Sequence, residues 1–337
     1  MTSARRLVAS LLGAIGLLAV AVGLALSLGS EPVSFARALE DPSSLDRALL
    51  LDARLPRVLL AAVAGGGLAA VGAALQGLLR NPLADPYVLG VSGGAALGAT
   101  IAITLGVSAT TWLGALALPA AAWLAGLGAS ALVYALARRA GSARGAASGA
   151  DILLAGVIVN GLASAAITLM KALVSAAKAQ ELLVWLMGFL DVPAWSSLGA
   201  VAACVAAGVA LLAGDAARLN ALALGAEPAA HLGVDVVALE RRVFVAASLV
   251  VGAIVCATGL IGFVGLVVPH ALRLVVGADH RRLVPLSVVT GAAALVACDL
   301  ASRLVFRALG TEPPVGAITA LIGGPVFLAL FVRRERS

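Results

Sequence analysis

Residues 54–98 read RLPRVLLAAVAGGGLAAVGAALQGLLRNPLADPYVLGVSGGAALG, two apolar runs around a polar break. A bilayer core of ~30 Å takes ~20 helical residues to cross, and the run over 56–79 meets that length. Residues 80–86 then place an Arg, an Asn, an Asp and two prolines within seven positions. Proline fixes φ and removes a donor, so this break cannot simply extend either run as helix. The second run, 88–106, opens on glycines. Its GVSGG (Gly90 to Gly94) also fits the Gly-x-Ser-x-Gly pattern of a hydrolase elbow. The stretch therefore predicts two membrane helices joined by a tight polar turn, and leaves open whether Ser92 is a nucleophile.

Composition supports a lipid solvent for the whole chain. Hydrophobic residues are 62% of the 337, charged residues 12%, and mean hydropathy is +1.09. Soluble domains carry about a quarter charged residues, so this chain lacks the polar surface to cover itself in water. Aromatics are only 4%, while 38 glycines suit close helix–helix approach through small residues. The net charge of +6 is spread in pairs between apolar runs, without a basic stripe or interleaved aromatics, which argues against nucleic acid. Cys204, Cys256 and Cys298 lie inside apolar runs and read as small buried hydrophobes.

Measured by bilayer thickness, ten spans are expected at 7–28, 56–79, 88–106, 112–137, 151–173, 196–213, 242–262, 265–276, 283–302 and 314–332. A further piece at 178–190 is too short to cross alone. The first run exceeds the 7–15 apolar residues of a secretory signal and is expected to stay as a helix. Ten crossings put both termini on one side. Taking that side as cytoplasmic places 15 of the 23 positive charges inside and 8 outside, in keeping with the positive-inside bias. Residues 29–55 then form an acidic outside loop, and 214–241 the longest cytoplasmic connection. Within the latter, Glu227-Pro228 reads as a helix start and Gly233 as a stop, so a short helix is expected beyond the bilayer.

Much chemistry is missing from the sequence. A phosphate-binding loop ends Gly-Lys-Ser/Thr, and the only lysines follow Met170 and Ala177, so ATP chemistry requires a partner. His231, His270 and His280 lie far apart without paired acids, so no metal-ligand spacing and no cofactor is indicated. The alternative to a non-enzyme is an intramembrane serine protease using Ser92 and His270. The simpler reading gives the glycines to helix packing and Ser92 to a hydrogen bond. Gln76 and Asn160 sit at membrane depth, where polar residues mark translocation paths or pair between helices. Asp299 and Arg303, four apart, can pair with each other on one helix.

These residues carry a resemblance. The 54–98 stretch, with VWLMGFLDVPAW (184–195), GLIGFVGLVVPHALRLVVGADHRRLVP (259–285) and DLASRLVFRALGTEPPVGAITALIGGPVFLALFVRR (299–334), resembles the FecCD-family permeases of ATP-binding-cassette importers. The likeness covers nearly the whole chain in order. It implies an all-α integral membrane protein with ten helices, of the inverted-repeat type II importer class, acting as one permease domain over 1–337 in a bacterial inner membrane. It also implies a homodimer around a central path, two cytoplasmic ATP-binding subunits and a substrate-binding protein outside. The cargo would be a metal chelate moved inward by alternating access, ferric siderophore first, then cobalamin or haem.

By motif position the resemblance assigns a cytoplasmic gate to Asn81, Pro82 and Leu83, with 139–149 as a second gate. Arg54, Arg57 and Arg303 become docking sites for acidic groups of the binding protein. Arginine suits that role because its charge is permanent and its fork matches a carboxylate. ATPase coupling falls on Asn220, Leu222, Leu224, Gly225, Glu227, Leu232 and Gly233. Pro228 departs from the family, which more often carries a second acidic residue there.

Overall fold

A computed structural model describes residues 3–107, 112–141, 149–191 and 194–334. In chain order its helices are α1 (Ser3–Ser27), α2 (Phe35–Glu40), α3 (Leu45–Ala48), α4 (Leu55–Leu78), α5 (Val91–Thr104) and α6 (Trp112–Gly141). There follow α7 (Gly149–Leu173), α8 (Ala176–Met187), α9 (Trp195–Gly214), α10 (Ala216–Leu222) and α11 (Ala226–His231). The chain closes with α12 (Val236–Thr258), α13 (Val264–Val276), α14 (His280–Leu309) and α15 (Val315–Arg334). Each of the ten expected spans falls on one helix, and the short piece at 178–190 falls on the twelve-residue α8. Among the described residues seven helices are long and apolar enough to cross a membrane; Val91–Thr104, Val264–Val276 and Val315–Ala329 are shorter. At 1.5 Å per residue, the 14 residues of α5 reach only about 21 Å. The protein is a multi-pass, all-helical membrane protein.

The centre of the bundle is α4, buried along nearly its whole length. In lipid there is no hydrophobic drive between helices, so contact depends on how closely backbones approach. Glycine supplies that approach here. A Cβ on Gly65 would overlap the Gly291 carbonyl of α14, and one on Gly291 would overlap the Gly65 carbonyl. Gly72 meets Gly265 of α13 in the same way. The Gly94/Gly98 face of α5 packs on Ala121, Ala125 and Ala129 of α6. The glycines of the hydrolase-like pattern are therefore packing positions.

Peripheral helices show the opposite pattern. In α1, Ala14, Ala21 and Ala25 are buried, while Leu12, Ile15, Leu17 and Val20 stand exposed toward the lipid. Between α1 and α4, residues 28–54 form a cap rather than open coil. Ser34 and Ser44 cap the two short helices, Arg37 pairs with Asp46 at 3.1 Å, and a π-helical turn, Leu49–Arg54, leads into α4.

Candidate functional site

The turn that follows α4 is built from its own side chains. Arg80 takes a left-handed φ of +48°, a conformation non-glycine residues seldom adopt. The Asn81 Oδ1 accepts from Leu83 N at 2.9 Å and the Asn81 carbonyl from Ala84 N at 3.1 Å. This is the Asx-turn chemistry for which asparagine is suited. Asp85 then accepts from Tyr87 N at 2.8 Å, and burial raises its carboxyl to about 6. The Tyr87 hydroxyl donates to Ile261 O at 2.6 Å and accepts from Ile261 N at 2.7 Å. Burial pushes that phenol well above its ordinary value. The inner side of the loop is thus tied down, whereas Leu83 at its tip is 41% exposed. Leu83 is thus an exposed apolar side chain carried on a pinned loop.

The two path candidates separate. Gln76 is 1% exposed, and its Nε2 donates to Leu266 O of α13 at 3.1 Å. In this conformation the amide serves a helix–helix contact, and its expected path role rests on its membrane depth alone. Asn160 instead donates to Tyr87 O at 3.0 Å and borders a cleft of about 410 Å³ between α5, α7 and α8. Ser92, Ser164, Thr168 and Lys171 share that wall. The α7 members lie four, four and three residues apart, which is one face of a helix. Elsewhere α7 exposes Leu154, Val157, Ile158, Leu162 and Leu169. A cation and three other polar side chains in one line are costly against lipid, which sets this face apart from the rest of α7.

Ser92 has a structural role, since its Oγ donates to Tyr87 O at 3.4 Å. His270 is buried on α13, with its ring edge-on to Phe327 of α15 at 6.3 Å. Nothing in this arrangement supports the protease reading.

At the opposite end of α4, the structure does bring Arg54, Arg57 and Arg303 together, but turned inward. Arg54 donates to the carbonyls of Leu26 at 2.7 Å and of Ser27 and Glu31, where α1 ends. Those carbonyls lack helical partners, and the negative end of the α1 dipole favours a cation. Arg303 bonds Ala25 O at 3.0 Å and pairs with Asp299 at 3.0 Å, the expected i,i+4 contact. Arg57 holds Asp299 at 2.8 Å and also pairs with Glu312. Asp299 is 0% exposed. Arg54 and Arg303 are therefore interior in this conformation, and their expected docking role rests on the resemblance alone. The carbonyl partners of both were invisible in sequence because backbone carbonyls carry no sequence signature, whereas Asp299 was readable from its spacing to Arg303. Arg57, half-buried and shared with the exposed side of Glu312, is the member nearest solvent.

The connection over 214–241 folds as α10 and α11. Gly225, at φ +124°, and Gly233, at φ +81°, bracket α11 in conformations that favour glycine. Of the expected coupling residues, Leu224 is 69% exposed and Leu232 65% exposed, and Glu227 also faces out. Leu222 is buried, and Asn220 points inward to Asp279 and His280. In this chain both side chains turn toward neighbouring helices. The expected second gate over 139–149 falls for the most part on 142–148, outside the described residues.

Comparison with known proteins agrees with this architecture. The sequence model of the FecCD transport family matches residues 17–333. The chain is 46% identical over 288 residues to the cobalamin import system permease protein of Halobacterium salinarum, covering 84% of this chain and 73% of that one. It is 38% identical over 322 residues to the hemin transport system permease protein of Yersinia pestis, covering 95% and 93%. A solved chain described as an inward-facing conformation of a metal-chelate type ABC transporter superposes with a TM-score of 0.83 at 31% identity, over 97% of this chain and 99% of that one.

Proposed function

The chain belongs to the FecCD transport family and is a permease of an ATP-binding-cassette importer, not an enzyme; from that premise we propose that it carries a metal chelate inward by alternating access, with a corrinoid as first candidate. Haem and ferric siderophore follow. The corrinoid moves ahead of the siderophore because the 46%-identical relative is a cobalamin permease. The observation that carries the transport reading is the cleft bordered by Asn160, Ser164, Thr168 and Lys171, a polar face on a helix that otherwise faces lipid. Few charges and many small side chains suit a large amphipathic chelate. A volume of 410 Å³ sits low in the roughly 300–1,000 Å³ range of sites that enclose drug-sized ligands. A tetrapyrrole therefore needs a second wall, which a second copy of the chain would provide.

The same reading takes 1–337 as one permease domain in the inner membrane, with both termini cytoplasmic. Asn81, Pro82 and Leu83 form the cytoplasmic gate, two copies of Leu83 meeting across the axis. Leu224, Gly225, Glu227, Leu232 and Gly233 seat an ATP-binding subunit, because exposed leucines flanking a short surface helix need an apolar groove. Arg57 is the docking site for an acidic group of the outside binding protein, competing with Glu312, while Arg54 and Arg303 hold the platform beneath it. Purified complex in proteoliposomes, with its ATP-binding subunit and binding protein, tests the proposal. Vanadate-sensitive uptake of cobalamin, exceeding that of haem and of ferric siderophore, is expected. Uptake driven by a proton gradient without ATP would refute it.

A further inference from the structure

The inward-turned Asn220 leads to an unassigned element. On α10, its Nδ2 donates to Asp279 Oδ1 at 2.6 Å, and its Oδ1 accepts from His280 N at 2.8 Å. A carboxylate only accepts and a backbone N–H only donates, so these two partners settle which way the amide points. The His280 Nδ1, 2.8 Å from the same Oδ1, must then carry the proton and donate. The histidine tautomer is set from the coupling segment. The opposite edge of the ring, Nε2, lies directly on Gly77 of α4, where a Cβ would overlap it. His280 is 1% exposed, so the ring is wedged between α10 and α4 rather than resting on a surface.

Gly77 stands four residues before Asn81, one helical turn from the gate, and its carbonyl accepts from Arg80 N at 3.3 Å. We propose that Asn220, His280 and Gly77 form a mechanical link that passes movement of the α10–α11 segment to the 79–86 loop. The proposal rests on the gate and coupling roles given above, and adds the positioning residues that connect them. Packed side chains transmit displacement because the interior is close-packed and cannot absorb it. Asn220 sees α10 move, the ring transfers the displacement, and the missing side chain at Gly77 lets it reach the backbone. Arg80, in its left-handed conformation, is where a small tilt of α4 becomes a swing of the loop.

The test places a reporter on the gate. In the intact complex, with Cys204, Cys256 and Cys298 replaced by alanine, Leu83→Cys is labelled with a charged maleimide in the nucleotide-free and vanadate-trapped states. The parent is expected to show a labelling rate that differs between the two states. In His280→Ala that difference should shrink by about tenfold, within the range for residues that couple two sites, while nucleotide turnover persists. A wedge that were only structural would lower thermal stability without erasing the state dependence. If His280→Ala fails to assemble, Asn220→Ala is read instead, since it frees the ring from α10 but leaves it packed on Gly77. State-dependent labelling equal to the parent's in the assembled variants overturns the link. Labelling in the parent that ignores vanadate removes the gate reading itself, and the far end of the link with it.

Discussion

The two ends of α4 are held by different chemistry. At its start, Arg57 with Arg303, Asp299 and Glu312 makes a buried ionic cluster, to which Arg54 adds the carbonyls where α1 ends. At its finish there is no ion pair of that kind among the described residues, only Gln76 on Leu266 O, a histidine ring on Gly77 and an Asx turn at Asn81. Charges out of water bind strongly only when every partner is in place, which makes the first end a staple. Neutral hydrogen bonds and glycine contacts exchange at lower cost. One helix is thus anchored where docking is proposed and adjustable where the gate is proposed.

The largest effect should come from breaking the staple. Asp299→Ala leaves Arg57 and Arg303 facing each other without their shared carboxylate. Removing one partner of a buried pair costs about 3–5 kcal/mol, so a sharp fall in detergent melting temperature is expected. Arg37→Ala, which breaks the exposed pair with Asp46, should cost only about 0–1 kcal/mol. Equal losses in the two variants would mean that burial does not distinguish the clusters.

Next is the middle of the helix. Gly72→Ala drives a methyl into the Gly265 carbonyl, a backbone atom that cannot rotate away. Overpacking of this kind costs about 1–3 kcal/mol. Gly161→Ala on α7, with open space around it, is the control and should be neutral or slightly stabilising. A melting temperature unchanged by Gly72→Ala would show that α4 and α13 slide freely.

At the adjustable end, Leu83→Ala should alter stability by under about 0.5 kcal/mol, as exposed substitutions do. Its expected signature is functional: faster passive leak of chelate from loaded vesicles without ATP. A tight variant would make the loop a passive connector.

The long apolar runs were legible because lipid demands about twenty helical residues, and that demand is independent of neighbours. Boundaries slipped where polar residues continue a helix beyond the bilayer. The span expected at 242–262 begins at Val236, because Asp235 caps the helix before Glu240, Arg241 and Arg242. Asp299–Arg303 was readable from spacing alone. The fate of Gln76 was not, since its choice between path and neighbour depends on where Leu266 O lies. Likewise, no pattern tells an arginine facing a docking partner from one folded onto the end of α1. Asn220 is the sharpest case. Motif position put it at a partner surface, and geometry turned it toward His280.

The smallest effect separates the two ends by pH. Asp85 in the gate loop has its carboxyl raised from 3.8 to about 6 by burial, against the pull of the Tyr87 N–H. A carboxyl that is easier to protonate when folded stabilises the native loop most below its unfolded value. That contribution is lost as pH rises from about 4 through 6. The loop should therefore loosen toward neutral pH, with maleimide labelling of Leu83→Cys rising across that window. The response comes from one carboxyl, so it is local to the loop. Maleimide attacks the thiolate, so each rate is divided by that of a free thiol at the same pH. Asp85→Asn keeps an oxygen for Tyr87 N and removes the titration, so the normalised rate in that background should be flat. A slope that survives Asp85→Asn would assign the pH response to another group and leave the adjustable end without its own titrating carboxyl.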